Sequence, residues 1–167
     1  MIMVDVQSRA AGAPAAPRIR RFLGRVARAI PAGADARTAT GSRAGEVSVL
    51  FCADARMRTL NRRYRGKDKT TDVLAFPAGP GAVSEGFLGD IVISVPYAAR
   101  EARRREDTRS REIDRLLVHG FLHLLGYDHE TDEGQMDALE SRLRRRLGLA
   151  ADSRTARALP PRAGKRR

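Results

Sequence analysis

The sequence predicts an α+β fold: a single domain in which a small four-stranded mixed sheet packs against helices. Three observations lead there. Four short runs alternate in polarity or run apolar at strand length. Five longer segments repeat their apolar residues at helical spacing. The two kinds mix irregularly rather than as regular βα units, and 167 residues suit one domain.

Ile2–Gln7 alternates and reads as a strand, and the Ala/Pro/Gly-rich stretch Ala10–Pro17 as a connection. From Arg18 to Ile30, residues Ile19, Phe22, Leu23, Val26 and Ile30 mark one face of a helix whose other face is arginine-rich. Pro31–Gly45 reads as a loop, and Glu46–Cys52 as a strand. Asp54 is placed to cap a helix carrying Met57, Leu60 and Tyr64 on one face. Arg65–Thr71 is polar and turn-like, Asp72–Phe76 is a short strand stopped by Pro77, and Ala78–Gly86 is a Gly/Pro loop. Leu88–Val95 is the clearest strand. Pro96 sits at an early helical position and opens a charged helix to about Glu106. Thr108 opens a second helix running to Leu125, with Gly126 where a left-handed C-terminal residue belongs. A last helix spans about Asp132 to Leu147, with Met136, Leu139, Leu143 and Leu147 on its apolar face. No internal repeat is visible.

Lys and Arg total 32 against 20 Asp and Glu, a net charge of +12. Much of the excess lies at the ends: residues 151–167 hold six bases and one acid, and with Pro160-Pro161 they read as a disordered basic tail beyond a domain at 1–150. Such a tail is either a solvated extension or an electrostatic tether to a polyanion such as RNA. A single cysteine, Cys52, excludes an internal disulfide framework and, in an apolar strand, suits a buried small hydrophobe. Neither a basic n-region ahead of an apolar run nor a stretch of ~20 apolar residues is present, so a soluble cytoplasmic protein is expected.

The chain has only three histidines, and all fall within eleven residues: His119-Gly-Phe-Leu-His123-Leu-Leu-Gly126-Tyr-Asp-His129. His119 and His123, four apart on a helix, share a face. Gly126 accepts the positive φ that lets the chain turn back, so His129 can reach the same point. Three neutral imidazoles with an open fourth position commonly hold catalytic zinc. A histidine alone on an apolar helix face is ordinarily a core residue; two at this spacing and a third after a glycine turn make a ligand set. The spacing matches the metzincin pattern His-x-x-x-His-x-x-Gly-x-x-His, so the helix is expected to resemble the metzincin zinc helix. Those proteases carry a Glu base after the first His, where this chain has Gly120. Asp128 or Glu130 could in principle substitute, although Asp128 is better suited to a turn or to supporting a ligand.

The histidine segment resembles the signature of the YbeY family of bacterial rRNA maturation factors. Leu60-Asn-Arg-Arg-Tyr-Arg-Gly-Lys-Asp-Lys-Thr-Thr-Asp-Val-Leu-Ala-Phe-Pro77 and Leu88-Gly-Asp-Ile-Val-Ile-Ser94 are similar to two further blocks of that family, in the same order. Thr70 stands where the family commonly has Pro, and Ala75 where it commonly has Ser. The resemblance covers roughly residues 1–148 and omits the basic tail. It implies a zinc-dependent endoribonuclease that cuts single-stranded RNA, acting in maturation of the small-subunit rRNA 3′ end and in ribosome quality control. It also implies that Arg65 faces the metal and takes part in catalysis.

A guanidinium at Arg65 suits the equatorial oxygens of a phosphodiester transition state. Asp72 and Asp90 suit turn hydrogen bonding and alignment of an edge strand. The Arg103-Arg-Arg105 and Arg144-Arg-Arg146 runs are solvated helix faces, or else they track an RNA backbone through Arg103, Arg104, Arg144 and Arg145. With few aromatics, RNA binding is expected to be backbone-dominated. Two other readings compete. One is a ribosome-assembly binding factor with a mainly structural zinc, and the other is a metalloprotease with an unusual general base.

Overall fold

A computed structural model describes residues 2–31, 45–129 and 132–149. Strand β1 (Ile2–Ser8) leads to helix α1 (Ala16–Ala29), and β2 (Gly45–Cys52) to α2 (Asp54–Arg65). Strand β3 (Val73–Pro77), the short helix α3 (Pro80–Ser84) and β4 (Phe87–Ser94) follow. Helices α4 (Val95–Arg104), α5 (Arg109–Leu124) and α6 (Gln135–Arg146) complete the order.

The four strands form one mixed sheet in the order β1-β2-β4-β3. The pairs β1·β2 and β2·β4 are parallel, while β3 runs antiparallel to β4, with Val73 opposite Ile93 and Pro77 opposite Gly89. Proline lacks an amide donor, so Pro77 fits only a strand at the sheet's edge, where β3 lies.

Alternation along the strands divides the apolar side chains between two faces. Val47, Val49 and Phe51 of β2, with Ile91 and Ile93 of β4, pack against α1, α5 and α6 in the main core. Cys52, Leu74 and Val92 point the other way and meet Met57 of α2, with Leu50, Leu60 and Phe76 beside them. Helices α2 and α5 therefore lie on opposite faces of the sheet. Helix α5 carries much of the main core, burying Ile113, Leu116, Leu117, Val118, Phe121, Leu122 and Leu124. Its polar residues Glu112 and Arg115 are also buried; they pair at 2.8 Å, and Arg115 also binds Asp107 and the Leu149 carbonyl.

The expected elements are present, with local corrections. Ala78–Gly86 contains α3, because Pro80 already has the φ of a first helical residue. Asp54 is not the N-cap of α2: Ala53 occupies that place, and the Asp54 carboxylate accepts bonds from Ser94 Oγ (2.5 Å) and Arg100 Nη1 (2.7 Å). Ser94 ends β4 and caps α4, accepting the Tyr97 amide at 3.3 Å. Helix α6 starts at Gln135 rather than Asp132, whose carboxylate instead receives the amides of Gly134 and Met136 at 2.9 Å each. Residues 32–44 of the expected loop and the basic tail from 151 onward lie outside the described residues. Among the described residues no helix is long and apolar enough to cross a membrane.

Candidate metal centre

Helix α5 begins with Thr108, whose hydroxyl accepts the Arg111 amide at 3.2 Å. The start of the helix fixes its phase, and that phase puts His119 and His123 on one face near its end. The end is equally defined. Gly126 has φ 84°, its amide binds the His123 carbonyl (2.9 Å), and the Tyr127 amide binds the Leu122 carbonyl (3.1 Å). This pair of bonds is the Schellman closure, which a side-chain-bearing residue at the left-handed position would strain. Tyr127 is buried just beyond it, and the chain returns with His129 beside the helix.

The three rings converge. Centroids lie 4.7 Å apart for His119 and His123, 5.4 Å for His119 and His129, and 5.3 Å for His123 and His129. One nitrogen from each ring falls in a group spanning no more than 4.8 Å. His119 Nε2 and His123 Nε2 are 3.2 Å apart. Two tetrahedral ligands at ~2.1 Å from a metal would sit roughly 3.4 Å apart, so the donor set fits a metal ion of zinc's size. His119 and His123 are half-buried and His129 is exposed, which leaves one side of the group open to solvent. Burial, reinforced by the neighbouring His119 and His129, holds the His123 pKa below its ordinary value, and the neutral ring is the form that ligates a metal.

Glu140 of α6 is a participant that the reading of the sequence did not single out. Its Oε2 lies 3.3 Å from His119 Nδ1, and its Oε1 accepts Arg144 Nη2 at 2.6 Å. Burial pushes the Glu140 carboxyl up, but its bonds to His119 and Arg144 outweigh that and hold it below the usual range. A sequence signal existed: Glu140 falls within the buried stripe Met136, Leu139, Leu143, where a carboxylate demands a partner.

The other candidates are placed differently. Gly120 is buried with its Cα against Ile91 of β4. Asp128 is half-buried and outside the ligand group, its carbonyl accepting the Asp132 amide at 2.9 Å, while Glu130 lies outside the described residues. Arg65 is the exposed last residue of α2, whose apolar side packs on the sheet face opposite α5. Asp72 accepts the Val73 amide (2.8 Å) and the Thr71 hydroxyl (3.1 Å) at the entry to β3. Arg104 pairs with Glu101 at 2.6 Å and Arg144 is engaged by Glu140, whereas Arg103 and Arg145 are exposed.

The Endoribonuclease YbeY family model matches residues 16–148. Endoribonuclease YbeY of Anaeromyxobacter sp. (strain Fw109-5) is 49% identical over 113 residues, which cover 66% of this chain and 59% of that protein's own length. The protein of the same name from Solibacter usitatus (strain Ellin6076) is 44% identical over 134 residues, 80% of each chain. The solution structure of TM1509 from Thermotoga maritima superposes with a TM-score of 0.53 at 22% identity, covering 99% of this chain and 100% of that one, and so shares its fold.

Proposed function

The chain belongs to the endoribonuclease YbeY family, and on that premise we propose that it is a zinc-dependent endoribonuclease hydrolysing phosphodiester bonds of single-stranded RNA. The convergence of His119, His123 and His129 on one point carries the reading. These three side chains would hold the zinc, which when bound supplies Lewis-acid polarisation of a phosphoryl oxygen and lowers the pKa of water.

The chain's own groups supply the rest. His129 is the exposed member of the histidine group, and RNA is proposed to approach from its side. Arg65 is proposed, on the family resemblance, for the charge that develops on the equatorial phosphoryl oxygens, for which its fixed fork of donors is suited. The net charge of +12 favours a polyanionic substrate, with precursor rRNA proposed as that substrate and the small-subunit 3′ end as the cleavage region. The proposed setting is the cytoplasm, on or near the ribosome.

The decisive measurement pairs zinc content with cleavage of single- and double-stranded RNA by the wild type and His119→Ala. The expected result is zinc in the wild type alone and cleavage of the single strand alone. Equal cleavage by zinc-free variant protein would sink the reading. Arg65→Ala should lose about 10²–10³-fold in turnover if its donors face the transition state.

The charge also favours a second reading, a ribosome-assembly binding factor whose zinc is structural. Normal rRNA 3′ ends in cells carrying only Arg65→Ala protein would support binding over catalysis.

A further inference from the structure

Three carboxylates are buried among the described residues, Glu112, Asp114 and Glu140, and Glu140 is the one that meets a histidine. It sits on α6, reaches across to the first histidine of α5, and is only 7% exposed. A buried carboxylate needs partners for both oxygens, and here one goes to His119 Nδ1 and the other to Arg144 Nη2. Glu140 and Arg144 are four residues apart on one helix, acid first, the favourable order for such a pair. Arg144 therefore turns the carboxylate toward α5 and fixes its rotamer. Met136, Leu139 and Leu143 dock the same face of α6 into the core, so the pair rides on a rigid element.

The consequence falls on the His119 ring. An acceptor at Nδ1 keeps the proton on that nitrogen and leaves the Nε2 lone pair free. That is the nitrogen 3.2 Å from His123 Nε2, in the group that converges with His129. The His123 ring is likewise tied, through a hydrogen bond to the Tyr127 backbone. The two helical histidines are thus each held from behind, one by a carboxylate and one by the backbone.

We infer that Glu140, oriented by Arg144, is a positioning residue of the metal centre that holds His119 in the tautomer and rotation a metal requires. The inference rests on the reading that the three histidines hold a metal ion, and it assigns Arg144 a role inside the molecule. Supporting partners of this kind, when removed, typically weaken metal binding by about 10–100-fold.

The test uses the full chain, stripped of metal, with Glu140→Gln and Glu140→Leu, and with Arg142→Ala, at an exposed position of α6, as a surface control. Zinc affinity is measured by competition with a chromophoric chelator, and thermal unfolding of the metal-free proteins is followed alongside. Both Glu140 variants should bind zinc about 10–100-fold more weakly, with Arg142→Ala unchanged. Nitrogen chemical shifts of the His119 ring in metal-free protein should report the Nδ1–H tautomer in the wild type and a mixture in Glu140→Leu. Zinc affinities within about twofold of wild type, with an unaltered tautomer, would overturn the inference even if the variants were less stable. A wild type that binds no zinc would refute the metal reading itself, and the tautomer measurement would still decide whether Glu140 orients the ring.

Discussion

Gly120 lies so close to Ile91 that a Cβ on residue 120 would stand 2.9 Å from Ile91 Cγ2 and 3.4 Å from both Cγ1 and Cδ1. Ile91 is fully buried in β4, the strand on which α5 packs, and its branch point cannot swing away. The position where metzincin proteases carry a glutamate base therefore faces the sheet at a contact only glycine fits. This speaks against the protease reading on steric grounds as well as chemical ones.

Gly120→Ala should accordingly destabilise the chain. Alanine in a helix gains about 1 kcal/mol over glycine, while overpacking a tight core costs about 1–3 kcal/mol, so the expected net loss is at most about 2 kcal/mol. Gly120→Glu should be far more damaging and should confer no peptidase activity. Urea unfolding of Gly120→Ala, Ile91→Ala and the double variant is the measurement. A coupling of about 0.5–3 kcal/mol is expected from the shared contact, and additivity within about 0.5 kcal/mol would show that Ile91 is not the obstacle.

The histidine group was legible in the sequence because its geometry is local: one helical turn and one glycine turn contain all of it. Glu140 was not, since its bond to His119 spans twenty-one residues and depends on how α6 docks against α5. Asp54 misled for a related reason. Its type and place suit a cap, but Ser94 and Arg100, forty and forty-six residues away, claim its carboxylate. Helix α3 was hidden by a Gly/Pro-rich composition, although Pro80 at its first position was a usable signal. The strands came through because alternation reports which face is buried, whatever the partner strand.

Cys52 should resist alkylation in the folded protein. Burial raises its thiol pKa from 9.0 to about 11, Arg56 opposing and Asp54 adding to the shift, so the reactive thiolate is scarce near neutral pH. The side chain is also enclosed by Met57, Leu74 and Val92. Iodoacetamide labelling at pH 7.5, read by mass spectrometry, should be slow in native protein and at least about 100-fold faster in urea. Comparable rates in the two states would contradict the packing described for this face of the sheet.

The ion network under α5 should make stability acid-sensitive. Burial pushes the Asp107 carboxyl up, but bonds from Arg115, the Thr108 amide and Arg111 hold it below the usual range. A carboxylate with a depressed folded pKa contributes stability that is fully present above the unfolded value of ~3.9 and fades as pH falls through the folded one. Urea midpoints should therefore hold from pH 7 to about 5 and drop below about 4. Asp107→Asn should lower stability at pH 7 by about 1–3 kcal/mol and flatten that drop. Arg115→Leu, which leaves the buried Glu112 with only its longer 3.4 Å ion pair to Arg105, should cost about 3 kcal/mol. A wild-type acid profile matched by Asp107→Asn would remove this carboxylate from the account.

Salt dependence should separate the arginines proposed to contact RNA. Arg103 and Arg145 are exposed, whereas Glu101 already faces Arg104 and Glu140 engages Arg144. Each phosphate contact on a single strand contributes about 0.7 to the slope of log affinity against log salt. The double variant Arg103→Ala/Arg145→Ala should reduce that slope by about 1.4 in an anisotropy titration with single-stranded RNA. Arg104→Ala should reduce it less, because its charge is partly compensated before RNA arrives. An unchanged slope in the double variant would place the RNA elsewhere on the molecule.

Zinc should stabilise the fold, because the site joins parts of the chain that folding alone brings together. His119 and His123 belong to α5, while His129 reaches them only through the Gly126 turn. A ligand that binds only the folded state adds about 2.7 kcal/mol when present at 100 times its dissociation constant. For a chain of this size that corresponds to a rise of roughly 5–11 °C in the melting temperature, reversed by a chelator. His129→Ala keeps the helical pair but loses the ligand beyond the turn, so its melting temperature should respond to zinc by less than about a third as much, since two imidazoles bind far more weakly than three. Equal shifts in the variant and the wild type would mean that His129 is not a ligand and that the turn at Gly126 serves packing alone.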